Sequence, residues 1–268
     1  MIDRGSHNLL GVRINAVDYE TAVDRIIGAA RARQPLGVSA LAVHGVMTGV
    51  LDEEHRHRLN QLELVVPDGQ PVRWGLNLLH RTKLAERVYG PQLMLETCGA
   101  AAEAGVPVYL FGSTAEMLDD LQEKLGEQFP KLVIAGSRPS QFRTLSADEK
   151  SEIINDITGS GAGITLVGLG CPRQEVWAYE FKDQLKMPVL AVGAAFAFHA
   201  GQLAQAPPVM QRFGLEWLYR LSREPRRLWK RYCYLNPYYL WLLSLQKSGL
   251  RKFDPDNTAA PSSEILYG

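Results

Sequence analysis

The stretch Ile164-Thr165-Leu166-Val167-Gly168-Leu169-Gly170-Cys171-Pro172-Arg173-Gln174-Glu175 decides the fold. A short, mostly apolar run bounded by turn residues reads as a buried strand. It opens into two glycines and a proline, and a helical pattern then continues to residue 185. Pro172 suits a first helical turn. A buried strand, a glycine turn and a helix together form the repeating unit of a parallel sheet.

Working outward, the same unit recurs. Apolar runs at 9–13, 37–43, 62–66, 107–111, 132–135 and 189–192 read as strands. Helical periodicity fills the gaps at 18–32 (capped by Asp18), 44–60, 71–80, 91–104, 114–128 and 147–158. This alternation predicts an α/β protein with an open, mostly parallel sheet and helices on both faces. The polar stretch at 52–58 (DEEHRHR) reads as a solvated face or a turn, not a metal site. From residue 207 the pattern is helical only, at 210–221, 225–235 and 237–246, with Pro225 and Pro237 opening two of these stretches. The predicted organisation is an α/β domain over 1–206, a helical appendage over 207–252, and a mobile tail over 253–268, which is rich in Pro, Ser, Asn and Asp.

Hydrophobic residues make up 46% of the 268-residue chain and charged residues 22%, which excludes disordered, collagenous and coiled-coil classes. The formal net charge is zero, but it is unevenly divided. Residues 211–252 carry ten Lys/Arg against two Glu, a net of +8, so the rest of the chain carries −8. The same segment holds nine of the 23 aromatics. Basic residues beside Trp and Tyr suit an anionic lipid surface or a pyrophosphate. An ordinary helical hairpin with a solvated basic face fits the pattern as well. Nucleic acid is disfavoured, because neither a helix-turn-helix nor a stacking sheet accompanies the charge. Cys98, Cys171 and Cys233 stand far apart, with neither CxxC nor zinc spacing, which suits a reducing cytosol. Residues 1–8 are polar and lack a signal-peptide pattern, and no apolar run is long enough to span a bilayer. The expectation is a chain that touches a membrane without crossing it.

In an open α/β sheet ligands bind beyond the carboxyl ends of the strands. Two strand ends are unlike plain turns. In Val65-Val66-Pro67-Asp68-Gly69-Gln70-Pro71, Asp68 is placed to act as a general base or to bind a sugar hydroxyl. It is equally placed to make an Asp-Gly turn and cap the helix from Pro71. In the opening stretch, Gly168 and Gly170 let the backbone approach a ligand, while helix-start amides and Arg173 favour an anion such as a diphosphate. Gln174 adds a donor for phosphate or sugar. An ordinary tight turn also fits, and neither GxGxxG nor GxxxxGK[ST] is present.

These segments, with Arg87-Val88-Tyr89-Gly90-Pro91-Gln92-Leu93-Met94, Gly193-Ala194-Ala195-Phe196-Ala197-Phe198, Ala206-Pro207-Pro208-Val209-Met210-Gln211-Arg212, Gly214-Leu215-Glu216-Trp217-Leu218-Tyr219-Arg220-Leu221 and Glu224-Pro225-Arg226-Arg227-Leu228-Trp229-Lys230-Arg231-Tyr232, resemble the WecG/TagA/CpsF family of bacterial glycosyltransferases over about residues 9–245. The resemblance implies a Rossmann-like fold. It implies inverting transfer of a sugar from a UDP-sugar to a polyprenyl-diphosphate-linked saccharide, without cofactor or metal, at the cytoplasmic face of the plasma membrane. Asp68 matches the proposed general base, Gln174 a donor- or acceptor-contacting residue, and Arg220, Arg227 and Arg231 arginines proposed to reach a diphosphate. Gly90 falls in a matching motif, and related proteins suggest self-association. The chain departs from the pattern at Ala40 and Ala42, where a Thr-x-Asn is usual and His44 is the nearest polar replacement, and at Gln92 and Ala197, each in place of Asp. These changes imply different sugar recognition, away from N-acetylmannosamine and toward a plain hexose or a uronic acid. The alternative is a catalytically impaired nucleotide-sugar-binding protein of the same fold.

Overall fold

Apolar runs too short to be helices pair side by side in the computed structural model, which describes all 268 residues except the side chains of Pro208, Arg227, Lys230 and Arg231. An antiparallel hairpin, β1 (Asp3–Leu9) and β2 (Val12–Val17), precedes six sheet strands. These are β3 (Leu36–Leu41), β4 (Leu64–Pro67), β5 (Val108–Gly112), β6 (Ile134–Arg138), β7 (Ile164–Gly168) and β8 (Pro188–Ala191). The sheet is wholly parallel, in the order β4-β3-β8-β7-β5-β6. The predicted α/β class is what forms.

Side chains alternate across this sheet, as strand geometry requires. Tyr109, Phe111 and Val167 join one apolar layer with Met47, Leu59, Trp177, Phe181 and Leu242. Val108, Leu110, Ile164 and Leu166 join the other with Ile26, Met94, Leu121 and Phe196. Each layer is closed by its own helices, so both faces of the sheet are covered. Local sequence sets the helix starts: Asp18 accepts from the Thr21 amide, Thr114 from Met117, and Ser146 forms a capping box with Glu149.

Four expectations are corrected. The single strand expected at 9–13 is a hairpin turn: Leu10 (φ 56°) and Gly11 (φ 88°) both take left-handed conformations between β1 and β2. The helix expected over 44–60 is two, Val43–Leu51 and Glu53–Asn60, because the side chain of Asp52 turns to cap the second. The strand expected at 132–135 pairs two residues later, at Ile134–Arg138. The helix expected over 210–221 breaks into Pro208–Arg212 and Glu216–Arg223 at Gly214 (φ 70°).

The charged stretch 52–58 is only partly solvated. His55 and Arg58 are each 2% exposed. The segment after residue 253, read from composition as mobile, lies along this part of the body. His57 Nδ1 meets Thr258 Oγ1 at 3.1 Å, and Arg56 donates to the Asn257 carbonyl at 2.7 Å. Farther on, the Glu180 carboxylate accepts from the amides of Ile265 (2.7 Å) and Leu266 (2.9 Å), and Lys150 pairs with Glu264 at 2.6 Å.

The appendage continues as helices Pro225–Lys230 and Asn236–Ser248, joined by a π turn at Arg231–Leu235. Tyr239, Leu242 and Leu243 anchor it on the body. Among the described residues no helix is long and apolar enough to cross a membrane.

Candidate active site

From β3 the chain steps outward to β4, then crosses to the far half of the sheet to form β5, so connections diverge beside β3 and β8. A crevice opens at such a point. Here it is a cavity of about 570 Å³, walled by the segments that follow β3, β4, β7 and β8 and roofed by the appendage helix Glu216–Arg223.

Asp68 sits on its floor. Its amide continues the β3–β4 ladder by donating to the Leu41 carbonyl at 3.2 Å. The capping role is not realised: Gly69 is the N-cap of helix Gln70–His80, and no side chain caps it. The carboxylate instead accepts from the Gly90 amide at 2.7 Å. Asp68 keeps some surface on the cavity but is otherwise enclosed by protein. Its pKa is raised to about 6, because burial, helped by Glu216, outweighs the lowering by Arg87, the Gly90 amide and Arg220. A carboxylate poised near neutrality suits general-base work.

The charges around it come from both parts of the chain. Arg87 pairs with Glu216 at 2.7 Å, each side chain 12% exposed. Tyr89 donates to the second Glu216 oxygen at 3.2 Å, and the Arg87 guanidinium lies 4.2 Å from the centre of the Tyr89 ring. Burial works against the Arg87 charge, but Asp68 and Glu216 hold its pKa above normal. Arg220, one helical turn beyond Glu216, also lines the cavity, 5.9 Å from the Phe198 ring. This cluster ties the appendage to the carboxyl end of the sheet. Sequence reasoning missed Arg87, Tyr89 and Glu216, because residues 129 apart in the chain carry no local sign of pairing.

The opposite wall is the loop 168–175. Gly168 has no room for a side chain, since a Cβ there would stand 2.5 Å from the Phe196 ring. Gly170 has φ +77°, which favours glycine. Gln174 is 4% exposed; its Oε1 accepts from the Gly170 amide at 3.1 Å and its Nε2 donates to Glu175 at 2.9 Å. Gln174 therefore braces the loop as well as lining the cavity. Glu175, 1% exposed, was overlooked as a chemical group although it lies within the quoted motif. It accepts from Ser39 Oγ at 3.2 Å, and burial raises its pKa. Helix Arg173–Leu185 starts without a side-chain cap, and backbone carbonyls take over part of its first turn: the Gln174 amide donates to Gly170 at 3.0 Å and the Val176 amide to Pro172 at 3.2 Å.

His44, Gly90, Gly168 and Gly170 also line this cavity, as do Ala40, Ala42 and Ala197. The alanine at 40 leaves space that Gly90 uses: a Cβ on Gly90 would stand 3.0 Å from that of Ala40. Arg173 is not brought into the group. It is exposed, with its guanidinium 5.5 Å from the Tyr267 ring. The side chains of Arg227 and Arg231 lie outside the described residues. Among the described residues no three His, Cys, Asp or Glu side chains stand close enough to hold a metal.

A strand-end carboxylate with a raised pKa, two arginines that lower it and a loop with two glycines thus line one cavity. Residues 7–253 match the model of the Glycosyl transferase WecG/TagA/CpsF family, so the chain belongs to this family of glycosyltransferases of cell-surface polysaccharide synthesis.

Proposed function

We propose that this protein transfers a hexosyl group from a UDP-sugar to a saccharide linked to polyprenyl diphosphate, with inversion at the anomeric carbon. The observation that carries the reading is Asp68, a carboxylate on the cavity floor whose pKa is raised to about 6. Ionised, it takes the proton of the acceptor hydroxyl as that oxygen bonds to the anomeric carbon. The bond to UDP breaks with its electron pair, and UDP leaves from the opposite face. The leaving diphosphate is met by the positive end of helix Arg173–Leu185, behind the Gly168–Gly170 loop, and by Arg220, which it shares with the acceptor diphosphate. Arginine neutralises developing charge without a metal.

The acceptor diphosphate is assigned to the appendage, to Arg220 with Arg227 and Arg231. Trp217, Trp229 and Trp241 are exposed on the appendage, as are Arg223 and Arg226, which supports seating on an anionic bilayer at its cytoplasmic face. The test is a panel of UDP-sugars with a short-chain lipid-diphosphate acceptor, in the presence and absence of EDTA. Transfer with one donor, insensitive to EDTA, supports the reading. Tight UDP binding without turnover on any acceptor would leave a binding protein instead.

A further inference from the structure

A second cavity, of about 410 Å³, lies beside the first. Gln70, Arg87 and Tyr89 line both. Its volume falls within the range of about 300–1,000 Å³ typical of small-molecule sites. Its own walls come from Tyr19, Gln92, His199, Gln205 and Gln211.

The chemistry of these walls is that of amides and phenols. A glutamine amide both donates and accepts, which matches a hydroxyl that does the same. The charges nearly cancel. Arg87 is already paired with Glu216, and Glu86 and Arg212 oppose each other in sign. His199 bonds the Pro91 carbonyl at 2.9 Å, and burial lowers its pKa, which works against a charge there. Gln92 Nε2 donates to Glu96 at 3.1 Å and Gln211 Nε2 to the Ala206 carbonyl at 2.8 Å, so their amide oxygens and the exposed Gln205 amide face the ligand. A phosphate would call for unpaired cations, and a purely apolar ligand would strip water from these groups without replacing its hydrogen bonds. The Gln70 amide oxygen is buried without a hydrogen-bond partner among the described residues. It stands on the partition between the two cavities, and a ligand hydroxyl would satisfy it.

We propose that this cavity is a subsite for an uncharged sugar ring of the donor or the acceptor, contiguous with the transfer site, in which Gln92, Gln205 and Gln211 read the ring hydroxyls. The proposal rests on the glycosyl-transfer reading above. It gives Gln92, which stands where an aspartate is usual, a specificity role outside the Asp68 cavity. The neutral amide, held by Glu96, favours an uncharged sugar, N-acetylated or not, over a uronic acid.

Gln92 and Gln205 are exposed, so Gln92→Leu, Gln205→Leu and the double variant are expected to fold. Kinetics are measured with the donor and with lipid-diphosphate acceptors bearing one neutral sugar or a neutral disaccharide. Saturation-transfer NMR, using free cellobiose and N-acetylchitobiose with cellobiuronic acid as the charged control, reads binding without turnover. The expected result is about a tenfold rise in KM that exceeds any fall in kcat. A rise for the disaccharide acceptor alone assigns the ring to the acceptor, and a rise for the donor assigns it there. The neutral-sugar NMR signal is lost in the double variant. Unchanged KM for every substrate with undiminished NMR signals, at wild-type melting temperature, would overturn the proposal. Equal binding of the charged control would overturn it too. A wild-type enzyme that transfers nothing counts against the transfer reading, while the NMR arm still decides the subsite.

Discussion

Glu216→Gln tests the electrostatic coupling between the appendage and the base. In the wild type, a midpoint at about 6 leaves Asp68 roughly nine-tenths ionised at pH 7 and one-tenth ionised at pH 5. A rate that needs the carboxylate therefore falls about tenfold between those values. Glu216 raises the Asp68 pKa, and it also engages Arg87, which lowers it. Neutralising Glu216 removes one effect and frees the other, so both push the midpoint below the wild-type value. Arg87→Gln does the reverse and moves it above. Breaking a pair this enclosed costs about 3–5 kcal/mol of stability, so melting temperature is followed alongside. The assay is kcat/KM against pH from 4.5 to 8.5 with one UDP-sugar at fixed ionic strength. Shifts of opposite sign in the two variants are the expected result. Activity lost in both with the midpoint unmoved would refute the coupling and leave the pair a purely structural clasp.

Three further outcomes follow from the same geometry. His55 is buried and its pKa is lowered to about 4, so between pH 6.5 and 4 the unfolded chain binds a proton that the folded chain does not. Stability is full above pH 6.5 and falls by up to about 3 kcal/mol as pH drops through that window; His55→Gln flattens this slope in urea titrations. Glu180→Ala strips the acceptor from the Ile265 and Leu266 amides, costing about 2–4 kcal/mol and raising proteolytic sensitivity after residue 253. Gly168→Ala drives a methyl to within 2.5 Å of the Phe196 ring, costing about 1–3 kcal/mol and weakening UDP binding measured by calorimetry.

The sheet was legible because its strands are buried on both faces, so short apolar runs such as Ile164–Gly168 stand out between glycine turns. The hairpin was not, because beside Gly11 its turn uses a buried leucine, Leu10, in a left-handed conformation, so the apolar run reads straight through it. The stretch around Arg58 looked solvated because its cover comes from residues about 200 positions away, near Thr258. At the site, Asp68 and the glycine loop were readable as departures from plain turns. Whether Asp68 capped a helix or faced a cavity was settled by its bond to Gly90, 22 residues on. The Arg87–Glu216 pair and the second cavity exist only once the appendage folds back over the sheet. Gln92 was visible as an unusual residue, but its neighbours Gln205 and Gln211 come from the start of that appendage and the turn before it.

The most direct measurement is kcat of Asp68→Asn at pH 7.5, with UDP affinity measured in parallel. Asparagine keeps the shape and the acceptor for the Gly90 amide but cannot take a proton. A loss of about 10²–10⁴-fold in kcat is expected, with UDP affinity within about threefold of wild type. Turnover at the wild-type rate would contradict the assignment of Asp68 as the base.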